Sequence, residues 1–307
     1  MTLTELRYIV AVARERHFRH AAEACFVSQP TLSVAVRKLE EELGVTLFER
    51  ANNEVSLTPI GARIVEQASR VLDQVNALQH LARQGDDPLH GPLKLGAIYT
   101  VAPYLLPSLI PALHRLAPNM PLLLEENFTR KLAERLRQGD LDVILVALPF
   151  DEPGVQVLPV YQEPFRVLMP QGHAWSTRKD IAAADLVGEN KNMLLLGTGH
   201  CFRDQVLEAC PALAHSASVS GMQRTLESGS LETIRYMVAS GAGITVMPCT
   251  ATLQLPAEYL VSRPFAAPAP QRQVALAWRS SYPRLAAVQA VKQAIRQCNL
   301  ACVDFLA

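Results

Sequence analysis

The stretch from Thr58-Pro59 to about Gln84 constrains this chain most. A capping threonine followed by proline in the first turn, where a missing N–H costs nothing, starts a helix. Within it Ile64, Ala68, Val71, Val75, Leu78 and Ala82 recur at spacings of four and three, the seam of a coiled coil. The run is close to four heptads long and contains no loop by which it could fold back on itself, so the stripe reads as a dimer seam. "GDDPLHGP" then breaks it as a hinge. One helix of this kind divides the 307 residues into a small N-terminal domain (1–58), a linker (59–88) and a large C-terminal domain (92–307). The length suffices for two or three domains with real cores.

Ahead of the linker, Leu6, Ile9, Val10 and Ala13 repeat at helical spacing. "RHAAEACF" follows as a compact second helix, and "VSQPTLSVAVRKLEEELG" as a third, with Ser28 as N-cap and Pro30 in its first turn. Leu32, Val36 and Leu39 form its buried stripe and leave Gln29, Thr31, Ser33 and Arg37 outward. Two short helices, a tight turn and a helix with small polar groups at its start make the helix-turn-helix plan. "VTLFERANNEVSLTP" reads as two strands around a turn at Asn52 and Asn53, a wing with Arg50 at its edge. Residues 1–60 hold seven Lys/Arg against eight Asp/Glu, so a DNA face requires segregation. The expectation is Arg16, Arg19, Arg37, Lys38 and Arg50 on one side and Glu40, Glu41 and Glu42 on the other.

Beyond Leu93 short apolar runs ("LKLGAI", "PLLLEE", "DVILVAL", "MLLLG", "GITVMP") alternate with helical stretches near 104–116, 130–138, 201–210 and 231–240. This is an α/β pattern with a parallel sheet. Apolar residues make up 49% and charged residues 19%, a folded composition, and zero net charge argues against indiscriminate polyanion binding. No apolar run approaches a membrane span, and Glu5 and Arg7 interrupt the first apolar stretch, so neither a membrane anchor nor a secretory signal is expected. A cytoplasmic location is therefore expected.

Six scattered cysteines make no structural disulfide framework in such a compartment. Cys25 and Cys249 are expected in the core; Cys298 and Cys302 lack two further ligands, so no metal site is expected. "GHCFRDQVLEAC" differs. It reads as one short helix, which separates Cys201 from Cys210 by about 13 Å, whereas a disulfide needs the Cα atoms within about 7 Å. The residues alone leave open two thiols that never meet or a pair that joins by unwinding the helix. Cys201 begins the helix, where the dipole favours an anion, with His200 before it and Arg203 in the first turn.

"HFRHAAEACFVSQPTLSVAVRKLEEELGVTLFER" with "LTPIG" resembles the winged helix-turn-helix of LysR-type transcriptional regulators. "LGAIYTVAPYLLPSLIP", "EENFT", "GTGHCFRDQVLEAC" and "SGSLETIRYMVASG" resemble the regulatory domain of that family's hydrogen-peroxide-sensing subgroup. The resemblance implies an α/β, two-lobed, periplasmic-binding-protein-like regulatory domain joined by the linker helix to the winged domain. Lobe one would comprise 92–162 and 268–307, with a last helix near 284–299, and lobe two 163–267.

By the same resemblance Cys201 is the redox-active thiol and Cys210 its resolving partner, and Thr100 and Thr129 orient peroxide. Gly199, His200, Arg203, Asp204 and Arg272 shape or tune the site. Ser28, Gln29, Thr31 and Ser33 belong to the base-reading end of the recognition helix, while Arg37 and Arg50 contact phosphate or groove. Implied partners are double-stranded promoter DNA, hydrogen peroxide, RNA polymerase and a glutaredoxin- or thioredoxin-type reductant. The resemblance also implies a homodimer assembling to a homotetramer, and neither cofactor nor enzyme activity. Gln223 and Arg224 stand where the subgroup carries a histidine before the "SLET" helix. The alternatives are a regulator answering to a metabolite and, from another class, a thiol peroxidase; a periplasmic solute-binding protein matches only the second half.

Overall fold

Helix α1 (Leu3–Glu15) starts at a capping box in which Thr2 and Glu5 satisfy each other's backbone N–H groups. It is followed by α2 (Phe18–Ala24), α3 (Gln29–Leu43), the antiparallel pair β1 (Phe48–Ala51) and β2 (Glu54–Leu57), and α4 (Pro59–Gln84). The structure, a computed structural model, describes residues 1–51, 54–84, 87–188, 193–210, 228–253 and 256–306. The wing turn Asn52-Asn53, the Arg50 side chain, and Gly221, Gln223 and Arg224 lie outside what it describes. Met1–Pro88, Arg135–Asp140 and Ser280–Leu285 make one compact unit; Leu89–Glu134, Leu141–Arg279 and Ala286–Ala307 make the other.

In the first unit Ile9, Val12, Leu32, Val36, Leu39 and Leu47 lose all exposure. Glu40 is not on an acidic outer face as expected: its Oε1 accepts from the N–H groups of Leu47 (2.7 Å) and Phe48 (3.2 Å) and fixes where the wing begins. Thr58 Oγ1 donates to the Thr46 carbonyl at 2.7 Å and accepts from Gly61 N–H at 2.9 Å, capping α4. A Cβ on Gly61 would sit 2.1 Å from the Leu47 carbonyl oxygen, so only glycine admits this approach. The linker stripe divides. Ala68 is buried with the winged-domain core and Ile64 packs on it, whereas Val71 and Leu78 stay 37% and 67% exposed. The first part of the expected seam therefore packs within its own chain.

The second unit runs β3 (Leu93–Ile98), α5 (Ala102–Leu116), β4 (Leu122–Asn127), α6 (Thr129–Arg137), β5 (Val143–Ala147) and β6 (Val155–Pro170). Then come α7 (Cys201–Ala209), α8 (Leu231–Ala239), β7 (Thr245–Pro248), a 3-10 turn (Cys249–Thr252), β8 (Leu260–Pro264), β9 (Gln271–Arg279), α9 (Leu285–Arg296) and β10 (Asp304–Phe305). The strand order is β10-β6-β9-β5-β3-β4, with β7 and β8 also on β6.

Only β3 is parallel to its neighbours β4 and β5; β9 runs antiparallel to both β5 and β6. The sheet is therefore mixed, not parallel. "MLLLG" makes only isolated bridges, Met193 to Ile244 and Leu196 to Ser228. The sixteen-residue β6 escapes sequence reading because it holds prolines. Pro159 lies at a register shift, and Pro164 at the point where β6 leaves β9 and takes up β7 and β8. Those are the places where a strand tolerates a missing N–H. Against the expectation of no structural disulfide, Cys249 and Cys302 are bonded, with Cα atoms 6.1 Å apart.

Candidate functional site

Strands β3 and β4 end side by side, Ile98 opposite Asn127. Each continues into an aromatic residue and a threonine, Tyr99-Thr100 and Phe128-Thr129. Ligands of α/β sheets collect outside the carboxyl ends of parallel strands, and here those ends form one wall of a pocket. Gly199, His200 and Cys201 form the other. Gly199 has φ +95°, a left-handed conformation that turns the chain into α7 at its cost-free residue. The pocket volume is about 10 Å³, enough for a single molecule of roughly water size.

Cys201 is the first residue of α7 and half-buried. Thr129 Oγ1 lies 3.6 Å from its Sγ. Thr100, 2% exposed, accepts a hydrogen bond at Oγ1 from Arg272 Nη1 (2.8 Å), and its carbonyl accepts from Arg272 Nη2 (2.8 Å). Because the hydroxyl accepts from Arg272, its own proton is free for a guest in the pocket. Arg272 in turn donates from Nε to Glu163 Oε1 at 2.7 Å, and both side chains are 0% exposed. Burial opposes the guanidinium charge, but Glu163, Tyr161 and the Cys201 sulfur outweigh it and raise the Arg272 pKa. The guanidinium also stacks 5.0 Å over the Phe202 ring, beside Cys201.

His200 is 5% exposed, 4.7 Å from the Phe128 ring and 6.0 Å from that of Tyr99. Burial lowers its pKa against a backbone hydrogen bond with Gly229 that raises it. Its buried Nε2 has no hydrogen-bond partner among the described residues. An unmet polar atom on a pocket wall is costly unless a guest meets it.

The structure thus brings Thr100, Thr129, Gly199, His200 and Cys201 to one pocket, with Arg272 directly behind Thr100. Arg203 does not line it: Nη1 donates to the Leu196 carbonyl at 2.7 Å and anchors α7. Asp204 lies exposed on the outer face of that helix. Cys210 caps the other end of α7, 3% exposed, its pKa pushed up by burial. Gln205 ties the helix to the Leu148 carbonyl at 2.9 Å. Tyr99, Phe128 and Glu163 went unread in the sequence. The paired aromatic-threonine endings were the available signal for the first two; nothing local marked Glu163.

On α3, Ser28 Oγ accepts from the Thr31 N–H (3.3 Å) and lies 2.8 Å from its hydroxyl, so Ser28 acts as the cap. Gln29 and Thr31 are exposed and Ser33 half-buried. Arg37 pairs with Glu41 at 3.1 Å, with side chains 79% and 66% exposed, so acid and base share this face instead of segregating. So exposed a pair opens at little cost, leaving the guanidinium available for phosphate.

Residues 3–62 match the bacterial regulatory helix-turn-helix model of the lysR family, and 86–298 the LysR substrate binding domain. The chain is 40% identical to the hydrogen peroxide-inducible genes activator of Pectobacterium carotovorum subsp. carotovorum, over 97% of this chain and 96% of that protein. It is 39% identical to the DNA-binding transcriptional dual regulator OxyR of Escherichia coli K12, over 96% and 95%. A full-length OxyR cysteine-to-aspartate variant from Pseudomonas aeruginosa superposes with TM-score 0.79 at 52% identity, covering 99% of this chain and 98% of that one. With both domains matched and relatives aligned over nearly the whole length, the chain belongs to the LysR family of transcriptional regulators and, within it, to the OxyR group.

Proposed function

We propose that this protein is a DNA-binding transcription regulator that senses hydrogen peroxide through Cys201 and Cys210 and activates antioxidant genes. The observation that carries the reading is the pocket on Cys201, with hydroxyls on two sides, an unmet His200 nitrogen and room for one very small molecule. A metabolite would need a cavity some tens of times larger. The Cys201 thiolate attacks one peroxide oxygen; the O–O bond breaks, and the leaving hydroxide takes a proton to become water. The resulting sulfenic acid condenses with the Cys210 thiol, releasing a second water and closing the disulfide. Thr129 and Thr100 orient the oxygens, and Arg272 holds Thr100 and places positive charge behind the sulfur.

The disulfide spans the two ends of α7, so closing it unwinds that helix. Arg203 and Asp204, away from the pocket, then serve to hold or release α7. Gln29, Thr31 and Ser33 read base edges of promoter DNA, with Ser28 shaping their helix end and Arg37 and Arg50 on the backbone or groove. Val71 and Leu78 seat a second copy in a homodimer, which pairs again to a homotetramer and contacts RNA polymerase. A glutaredoxin- or thioredoxin-type protein resets the thiols in the cytoplasm. The protein turns over no substrate.

The deciding experiment treats the full chain with sub-stoichiometric peroxide, traps sulfenic acid and free thiols, and measures promoter binding on the same samples. Cys201 should oxidise first, link to Cys210, and change the DNA footprint. Cys201 unreacted, or a footprint that changes equally in Cys201→Ser, would refute the reading. Peroxide consumed catalytically with a thiol reductant would make the protein a peroxidase instead.

A further inference from the structure

Glu163 is fully buried, and its two carboxylate oxygens face different ways. Oε1 holds Arg272; Oε2 accepts from the Thr250 hydroxyl at 2.7 Å and the Thr250 N–H at 3.4 Å. Thr250 stands next to Cys249 in the 3-10 turn after β7, which pairs with β6 just beyond Glu163 (Pro248 opposite Phe165). On the other side of Glu163, Gln162 and Tyr161 pair with β10, and Cys302 lies two residues before that strand. The Cys249–Cys302 bond therefore ties together the two segments that bracket Glu163 on β6. From it a continuous chain of buried contacts runs through Thr250, Glu163 and Arg272 to Thr100 in the peroxide pocket.

We infer that Cys249 and Cys302 are a second redox pair, distinct from Cys201 and Cys210, whose closure firms the Thr100 side of the pocket and speeds oxidation of Cys201 by peroxide. The inference rests on the peroxide-sensing reading. Cys249 is fully buried while Cys302 is half-exposed, so oxidant and reductant reach the pair through Cys302. Closure balances with the oxidant already in play: two thiols give two electrons and two protons to one hydrogen peroxide, forming one S–S bond and two waters. A thiol reductant reverses it by exchange at the accessible sulfur. Cross-linking adds no group to the pocket. It limits the freedom of the turn carrying Thr250, and so of the carboxylate that aims Arg272 at the Thr100 hydroxyl. Placement of an orienting hydroxyl matters steeply to rate, since small misplacements cost large factors.

The test uses the full chain. Differential alkylation and peptide mapping across glutathione buffers should show a Cys249–Cys302 cross-link that opens with reductant. Both thiols free at every poise would overturn the proposal. Cys302→Ser, chosen because Cys302 is half-exposed and tolerates the change, should slow Cys201 oxidation by peroxide about 3- to 10-fold. Alkylation of Cys201 by iodoacetamide, which needs no help from Thr100, should stay within about twofold of wild type, a comparison a merely structural role would not separate. Equal peroxide rates in wild type and Cys302→Ser, or equal losses in both reactions, would overturn it. Failure of wild-type Cys201 to react with peroxide at all would instead overturn the sensor reading on which it stands.

Discussion

Val206→Ala tests whether oxidation unwinds α7. Val206 sits midway along that helix, 1% exposed in the core that also holds Phe202 and Cys210. Two lost methyl groups forfeit about 1.6 kcal/mol of burial at about 0.8 kcal/mol each. The space left behind adds up to about 1 kcal/mol, and alanine's better helix propensity returns about 0.5 kcal/mol. The reduced, helical form therefore loses about 2 kcal/mol. If the Cys201–Cys210 bond forms only when the helix opens and Val206 leaves the core, the oxidised form loses none of it. At about 30 mV per 1.4 kcal/mol, the reduction potential of the pair becomes about 40 mV more negative. Val238→Ala is the control: Val238 is 0% exposed in the same core but on α8, outside the disulfide loop, so both redox states lose alike and the potential stays put. Redox titration in glutathione buffers with thiol trapping measures both. A Val206→Ala potential within about 10 mV of wild type, alongside a lowered Tm, would show that the helix survives oxidation and refute the reasoning.

Glu163→Gln should destabilise the regulatory domain by about 3–5 kcal/mol, because it strands the buried Arg272 charge, and should slow peroxide oxidation of Cys201; urea unfolding and stopped-flow thiol titration check it. Burial holds the His200 pKa below its ordinary 6.5, so below that pH the unfolded chain binds a proton that the folded chain refuses. Its contribution to stability is complete above pH 6.5 and declines as pH falls toward the depressed value, and His200→Gln should flatten that part of the stability–pH curve. Gln29→Ala should relax sequence preference by about 1–3 kcal/mol, while Arg37→Ala should weaken all DNA binding and reduce the salt slope by about 0.9; binding titrations against promoter and random DNA separate them. Leu78→Glu, at a position 67% exposed in one chain, should leave the Tm of each domain unchanged yet weaken self-association in sedimentation.

The sequence by itself determined the parts whose signals are local. The helices of the winged domain and the 26-residue linker helix follow from a 3.6-residue period and a cap at each start, and α7 from its period with Pro211 just beyond it, all within one window of chain. Cys201 at a helix start beside His200 was legible for the same reason. What the tertiary structure decided joins residues far apart. β6 accommodates Pro159 and Pro164 because its register shifts at the first and its partners change at the second. Thr100, Glu163, Thr250 and Arg272 come from four separate segments and meet because a buried carboxylate and guanidinium must find partners wherever the fold supplies them. Thr129 opens α6, and the approach of α7 is what sets its hydroxyl 3.6 Å from the Cys201 sulfur. The first part of the linker stripe, Ile64 and Ala68, faces its own domain because α1 offers it an apolar surface that periodicity cannot reveal. Cys249 and Cys302, 53 residues apart, pair because β10 folds back along β6 and brings their Cα atoms within bonding range.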